Sequence, residues 1–98
     1  HRVVDLSVRA AELGQDRPLA RELALVKVSG TGEARVEALR LAGAFRANVI
    51  DANTEHFIFE ITGKVSKVEQ FIAIMKPLGL VEVCRTGVAA MNRGPQGM

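Results

Sequence analysis

Ninety-eight residues, 48% of them hydrophobic, suffice for one domain with a real core, or for one domain and a fragment of another, and exclude separate cofactor and catalytic domains. The 13 basic and 11 acidic residues are dispersed along the chain, so the net charge of +2 marks neither a nucleic-acid-binding stripe nor an acidic tail. One cysteine excludes an internal disulfide, and no apolar run approaches the roughly 20 residues that cross a bilayer, so a cytoplasmic protein without membrane contact is expected.

In chain order, His1 to Leu6 reads as a strand with nothing before it to pair with, the end of a preceding domain. Ser7 to Arg21 carries Gly14, Asp16 and Pro18 among charged residues and alanines, which suits a linker or a short helix and turn. Residues 1–21 are therefore assigned to a remnant and linker, and 22–98 to the domain proper. Leu23 to Val28 is a nearly unbroken apolar run, a strand closed by Ser29-Gly30-Thr31-Gly32. Thr31 or Gly32 caps a helix from Glu33 to about Phe45, with Ala34, Ala38, Leu41, Ala42 and Phe45 at helical spacing. Asn48 to Ala52 and His56 to Ile61 read as two strands joined by a polar hairpin turn, Asn53-Thr54-Glu55. Val68, Phe71, Ile72 and Met75 define an amphipathic helix over about Val65 to Met75, stopped by Pro77 and Gly79. Leu80 to Arg85 is the last strand, and the remainder reads as a fraying tail.

The order β-α-β-β-α-β predicts an α+β, ferredoxin-like fold: a four-stranded antiparallel sheet in the order 4-1-3-2, with both helices on one face. The other face is left bare, and alternation then says what it carries. If Ala24, Val26 and Val28 face the helices, Leu23, Leu25 and Lys27 face away, together with Val49, Asp51, Ile58, Glu60, Leu80, Glu82 and Cys84. Apolar groups on a face expected to be solvated suggest an interface, built from Leu23, Leu25, Lys27, Val49, Ile58, Glu60, Leu80 and Glu82. Lys27 is placed to pair across strands with Glu60 or Glu82.

Candidate chemistry is sparse. His56 and Cys84 fall at opposite ends of two strands that run the same way, about 15 Å apart at 3.3 Å per residue, too far to share a metal within one chain. Phe57 and Phe59 sit two apart, as stacking aromatics do on RNA-binding sheets, but they are flanked by Glu55 and Glu60 and suit the core better. Gly30 and Gly32 lack the third glycine or lysine of a phosphate loop. Arg85 and Arg93 can grip an anion or a partner carboxylate, or be solvated tail residues. No catalytic, cofactor-binding or metal-ligating residue is assigned.

Taken together, VVDL at Val3 to Leu6, RELALVKV at Arg21 to Val28, FRANVID at Phe45 to Asp51, TGKVSKVEQF at Thr62 to Phe71 and RTGVAAMNRG at Arg85 to Gly94 resemble, in order and spacing, the C-terminal domain of the small, regulatory subunit of acetolactate synthase (acetohydroxyacid synthase). The resemblance implies a non-enzymatic domain in branched-chain amino acid biosynthesis that supports a homodimer and stimulates a catalytic large subunit. It also implies that Val3 to Leu6 is the last strand of an ACT domain, which holds the site for the inhibitor valine. Thiamine diphosphate, magnesium and FAD would bind only the catalytic subunit, and no nucleic acid is expected as a partner. The alternative from another class is a ferredoxin-like sensor of a small molecule or metal.

Overall fold

A computed structural model describes residues 18–95. The expected strand at His1 to Leu6 and the linker up to residue 17 lie outside the described residues. Four strands, β1 (Leu19–Val28), β2 (Asn48–Ala52), β3 (Phe57–Gly63) and β4 (Leu80–Met91), and two helices, α1 (Glu33–Ala44) and α2 (Val65–Met75), follow in the order β1-α1-β2-β3-α2-β4. The sheet order is β2-β3-β1-β4, antiparallel throughout, as in the ferredoxin-like α+β fold expected from the sequence.

The core lies between the sheet and the two helices. Strand β1 contributes Ala24, Val26 and Val28, strand β3 contributes Phe57, Phe59 and Ile61, and each strand places them at every second residue. Against them α1 packs Ala38 and Ala42, with Leu41 and Phe45 at the margin, while α2 packs Val68, Phe71 and Met75. Phe59 stands nearly edge-on to Phe71, ring centroids 5.8 Å apart, and Phe71 meets Phe45 at 5.5 Å. Phe57 and Phe59 are thus core residues, both buried on the helix side.

Two loops cross tightly at one end of the sheet. The Ser29 N–H donates to the Gly79 carbonyl at 2.8 Å, and Gly79 has φ +106°. A Cβ there would stand 2.6 Å from the Ser29 oxygen, so glycine answers both the dihedral and the close approach. Beside this crossing, the β2–β3 hairpin is closed by Asn53, whose Oδ1 accepts the N–H groups of Glu55 and His56, each at 2.8 Å. Arg35 of α1 reaches the same hairpin: its Nη2 donates to the Asn53 carbonyl at 2.7 Å, and its guanidinium lies 3.9 Å from the Phe57 ring centroid.

Strands β1 and β4 differ from expectation in length. Leu19, Ala20 and Arg21, assigned to the linker, pair with Met91, Ala90 and Ala89, assigned to the tail, and lengthen β1 and β4 into a ribbon. The joint is a bulge: between Glu22↔Val88 and Ala24↔Arg85, Leu23 alone faces Thr86 and Gly87. Gly87 takes φ +80° there. The Thr86 Oγ1 accepts the Leu23 N–H at 3.1 Å, and its own hydrogen is within reach of the Leu23 carbonyl at 3.2 Å. A side chain thus satisfies backbone groups that the bulge takes out of the ladder.

Candidate interaction surface

On the sheet face away from the helices, Leu25, Lys27, Ile58, Glu82 and Cys84 line a shallow concavity of about 180 Å³. Register brings them together. Lys27 stands between Ile58 on β3 and Glu82 on β4, and Leu25 stands between Glu60 and Cys84. Of the two acidic partners open to Lys27, the ladder favours Glu82: Nζ lies 3.3 Å from its carboxylate, whereas Glu60 sits opposite Leu25. With the two side chains 34% and 62% exposed, this pair is worth about 1 kcal/mol at most, so it orients the face more than it stabilises the fold. Leu23, opposite Thr62, extends the same side toward the ribbon.

Two residues expected on this face are elsewhere. Leu80 lies opposite Val28 and packs against the core, because Val81 is an extra residue between the pairs Lys27↔Glu82 and Val28↔Leu80. The bulge turns the pleat by one residue and leaves Val81 59% exposed. Val49 lies opposite the buried Phe59, hence on the helix side; the second irregularity, at Ile50, returns Asp51 to the open face opposite Ile58. Every β2 residue is exposed, as befits a five-residue edge strand.

The helix side holds a polar group that the sequence reading missed. Glu22 is only 4% exposed and points, like Ala24, beneath α2. Its carboxylate accepts a hydrogen bond from Arg85 Nε, and Arg85 Nη2 lies 3.6 Å from Glu69 on α2. A buried carboxylate requires a cation, so the triad answers the burial of Glu22 and ties together β1, β4 and α2. The hydrogen bond to Glu22 holds the Arg85 guanidinium even more firmly protonated than an ordinary arginine. Arg85 is therefore a strand residue serving the fold. The available signal was Glu22 itself, two residues before Ala24 and on the same side of an apolar strand.

His56 sits at the end of the hairpin, its Nε2 3.3 Å from the Asn53 amide, while Cys84 is exposed on the open face. Among the described residues, no three of His, Cys, Asp and Glu cluster as a metal site, and no helix is long and apolar enough to cross a membrane.

Comparison with known proteins places this fold. The sequence pattern of the family described as the small subunit of acetolactate synthase matches residues 21–94. The chain is 35% identical over 98 residues to the acetolactate synthase small subunit of Mycobacterium leprae, covering 100% of this chain and 57% of that protein. It is 34% identical over 89 residues to the Bacillus subtilis small subunit, covering 91% and 52%. The crystal structure of the acetolactate synthase small subunit from Thermotoga maritima superposes with a TM-score of 0.73 at 42% identity, covering 81% of this chain and 48% of that one. The chain thus spans about half the length of the curated relatives it matches. With that fold and that extent of agreement, this chain belongs to the acetolactate synthase small-subunit family.

Proposed function

We propose that this domain acts as the C-terminal part of a regulatory subunit: it supports a homodimer, helps to stimulate the catalytic large subunit of acetolactate synthase, and performs no chemistry of its own. The observation that carries this reading is the open sheet face, where Leu25, Ile58 and Cys84 surround the Lys27–Glu82 pair. Burying an apolar side chain of that size fully is worth about 1.5 to 3 kcal/mol, so covering the face with a partner stabilises an association by several kcal/mol before its entropic cost. Thiamine diphosphate, magnesium and FAD are assigned to the catalytic subunit, and valine to an ACT domain. By itself the domain is then expected neither to condense pyruvate nor to bind valine.

Stimulation on this reading is a bias toward the active state of the catalytic subunit, and such couplings are typically about 1 to 3 kcal/mol. Titration of this chain into labelled catalytic subunit, followed by sedimentation velocity, tests the contact. Co-sedimentation of the two supports the reading; independent sedimentation at tens of micromolar contradicts it.

A further inference from the structure

Of the seven large hydrophobic residues exposed among the described ones, four, Val36, Leu39, Val49 and Ile50, come to one edge of the domain. On α1, Phe45 meets Phe71 of α2, whereas Arg35 reaches the other way, to the Asn53 carbonyl in the β2–β3 hairpin. Val36 and Leu39 continue the Arg35 flank, on the side away from α2. Because Arg35 meets the far end of β2 and residues 45–47 join the end of α1 to its beginning, this flank runs alongside β2. Strand β2 closes the sheet order and pairs with β3 alone, so its outer N–H and C=O groups meet no strand among the described residues.

The junction of α1 and β2 carries a strained cation. Arg46 has φ +57°, the one positive φ outside glycine among the described residues. Its N–H donates to the Gly43 carbonyl at 3.1 Å, and that of Ala47 to the Ala42 carbonyl at 2.8 Å, a helix-closing turn that glycine makes without steric cost. Arg46 is exposed, and its side chain makes no ion pair or hydrogen bond among the described residues. Glycine would relax the backbone here, so what arginine supplies is its guanidinium, held at the start of β2. Near the other end of the strand Asp51 is exposed and likewise unpaired among the described residues.

We propose that this edge receives an extended segment of a protein partner as a further strand beside β2, with a carboxylate opposite Arg46, a cation opposite Asp51 and an aliphatic side chain between them against Leu39 and Val49. Resting on the function proposed above, the segment belongs to the catalytic subunit, and the contact is separate from the open sheet face. A second copy of the domain fits less well. Pairing β2 with itself about Ile50 sets bulge against bulge and brings Val49, on the helix side, opposite Asp51, on the open side, whereas residues facing each other across a ladder point the same way.

The test is Arg46→Gly, made in a regulatory subunit that carries this domain. Glycine removes the Cβ penalty at φ +57°, so the melting temperature should stay level or rise, and weaker binding cannot then be a loss of fold. Affinity for the purified catalytic subunit is measured beside wild type, Arg46→Glu, Ile50→Lys and a subunit ending near Ser7. The expected result is binding about tenfold weaker for Arg46→Gly, the loss of one charge-assisted contact, and weaker still for Arg46→Glu, which adds repulsion. Ile50→Lys, an edge-blocking charge at an exposed position, should weaken binding likewise. Amide exchange across residues 48–52 should slow when the catalytic subunit is added. If the three variants bind as wild type while the shortened subunit binds weakly, this site is overturned and the functional reading stands. If the shortened subunit also binds as wild type, both fall. A regulatory subunit that becomes monomeric with Arg46→Gly overturns the proposal in favour of a contact between two copies.

Discussion

Replacing Arg85 with alanine should be among the most damaging changes on the surface side of this domain. Glu22, whose side chain is 3% exposed, would lose its cation, and breaking a buried ion pair from one side costs about 3 to 5 kcal/mol. Arg85 is itself 20% exposed and its second partner, Glu69, 61%, so water enters the vacated space and lowers the cost below that range, to about 2 to 3 kcal/mol. For a domain of this size, each kcal/mol moves the melting temperature by about 4 to 8 °C, giving a fall of roughly 8 to 24 °C. Urea unfolding followed by far-ultraviolet circular dichroism reads the same quantity through its midpoint. Two companions make the argument specific. Glu69→Gln should cost less than about 1 kcal/mol, and Glu22→Leu combined with Arg85→Met should return to within about 1 kcal/mol of wild type, since a buried pair replaced whole by apolar groups loses little. An Arg85→Ala variant within about 0.5 kcal/mol of wild type, or a double variant as unstable as the single, would refute the reasoning.

Other changes probe other parts of the structure. Gly79→Ala forces a Cβ to 2.6 Å from the Ser29 oxygen at φ +106° and should destabilise by about 2 kcal/mol or more in the same urea assay. Asn53→Ala removes the acceptor of two hairpin N–H groups; a loss of about 1 kcal/mol is expected, with faster amide exchange confined to Glu55 and His56. Leu25→Asp places a charge in the centre of the open face, where its side chain is not part of the core. It should leave the melting temperature of dilute protein nearly unchanged and shift sedimentation from dimer to monomer, and a wild-type chain already monomeric at tens of micromolar would contradict the self-association proposed for that face.

The sequence disclosed the elements whose periodicity was undisturbed. Ala24, Val26 and Val28 alternate without interruption, and Val68, Phe71 and Met75 keep helical spacing, so the core and the inward faces of β1, β3 and α2 follow from simple counting. Counting failed at the bulges. Alternation carried from Glu82 back to Leu80, or from Asp51 back to Val49, assumes one residue opposite one, and the extra residues Val81 and Ile50 reverse the side chain beyond them. The RTGVAAM stretch was misread for a related reason: glycine inside a strand resembles an end, whereas Gly87 at positive φ sits in a bulge after which β4 continues to Met91.

The most direct measurement of the central claim compares the activity of the catalytic subunit, at saturating regulatory subunit, with a complete regulatory chain and with one ending near Ser7. On this account the shortened chain stimulates less, by a factor within the roughly 5 to 150-fold range that couplings of this kind span. Equal stimulation and an equal valine response from the two chains would contradict it, leaving the domain a structural support without a regulatory part.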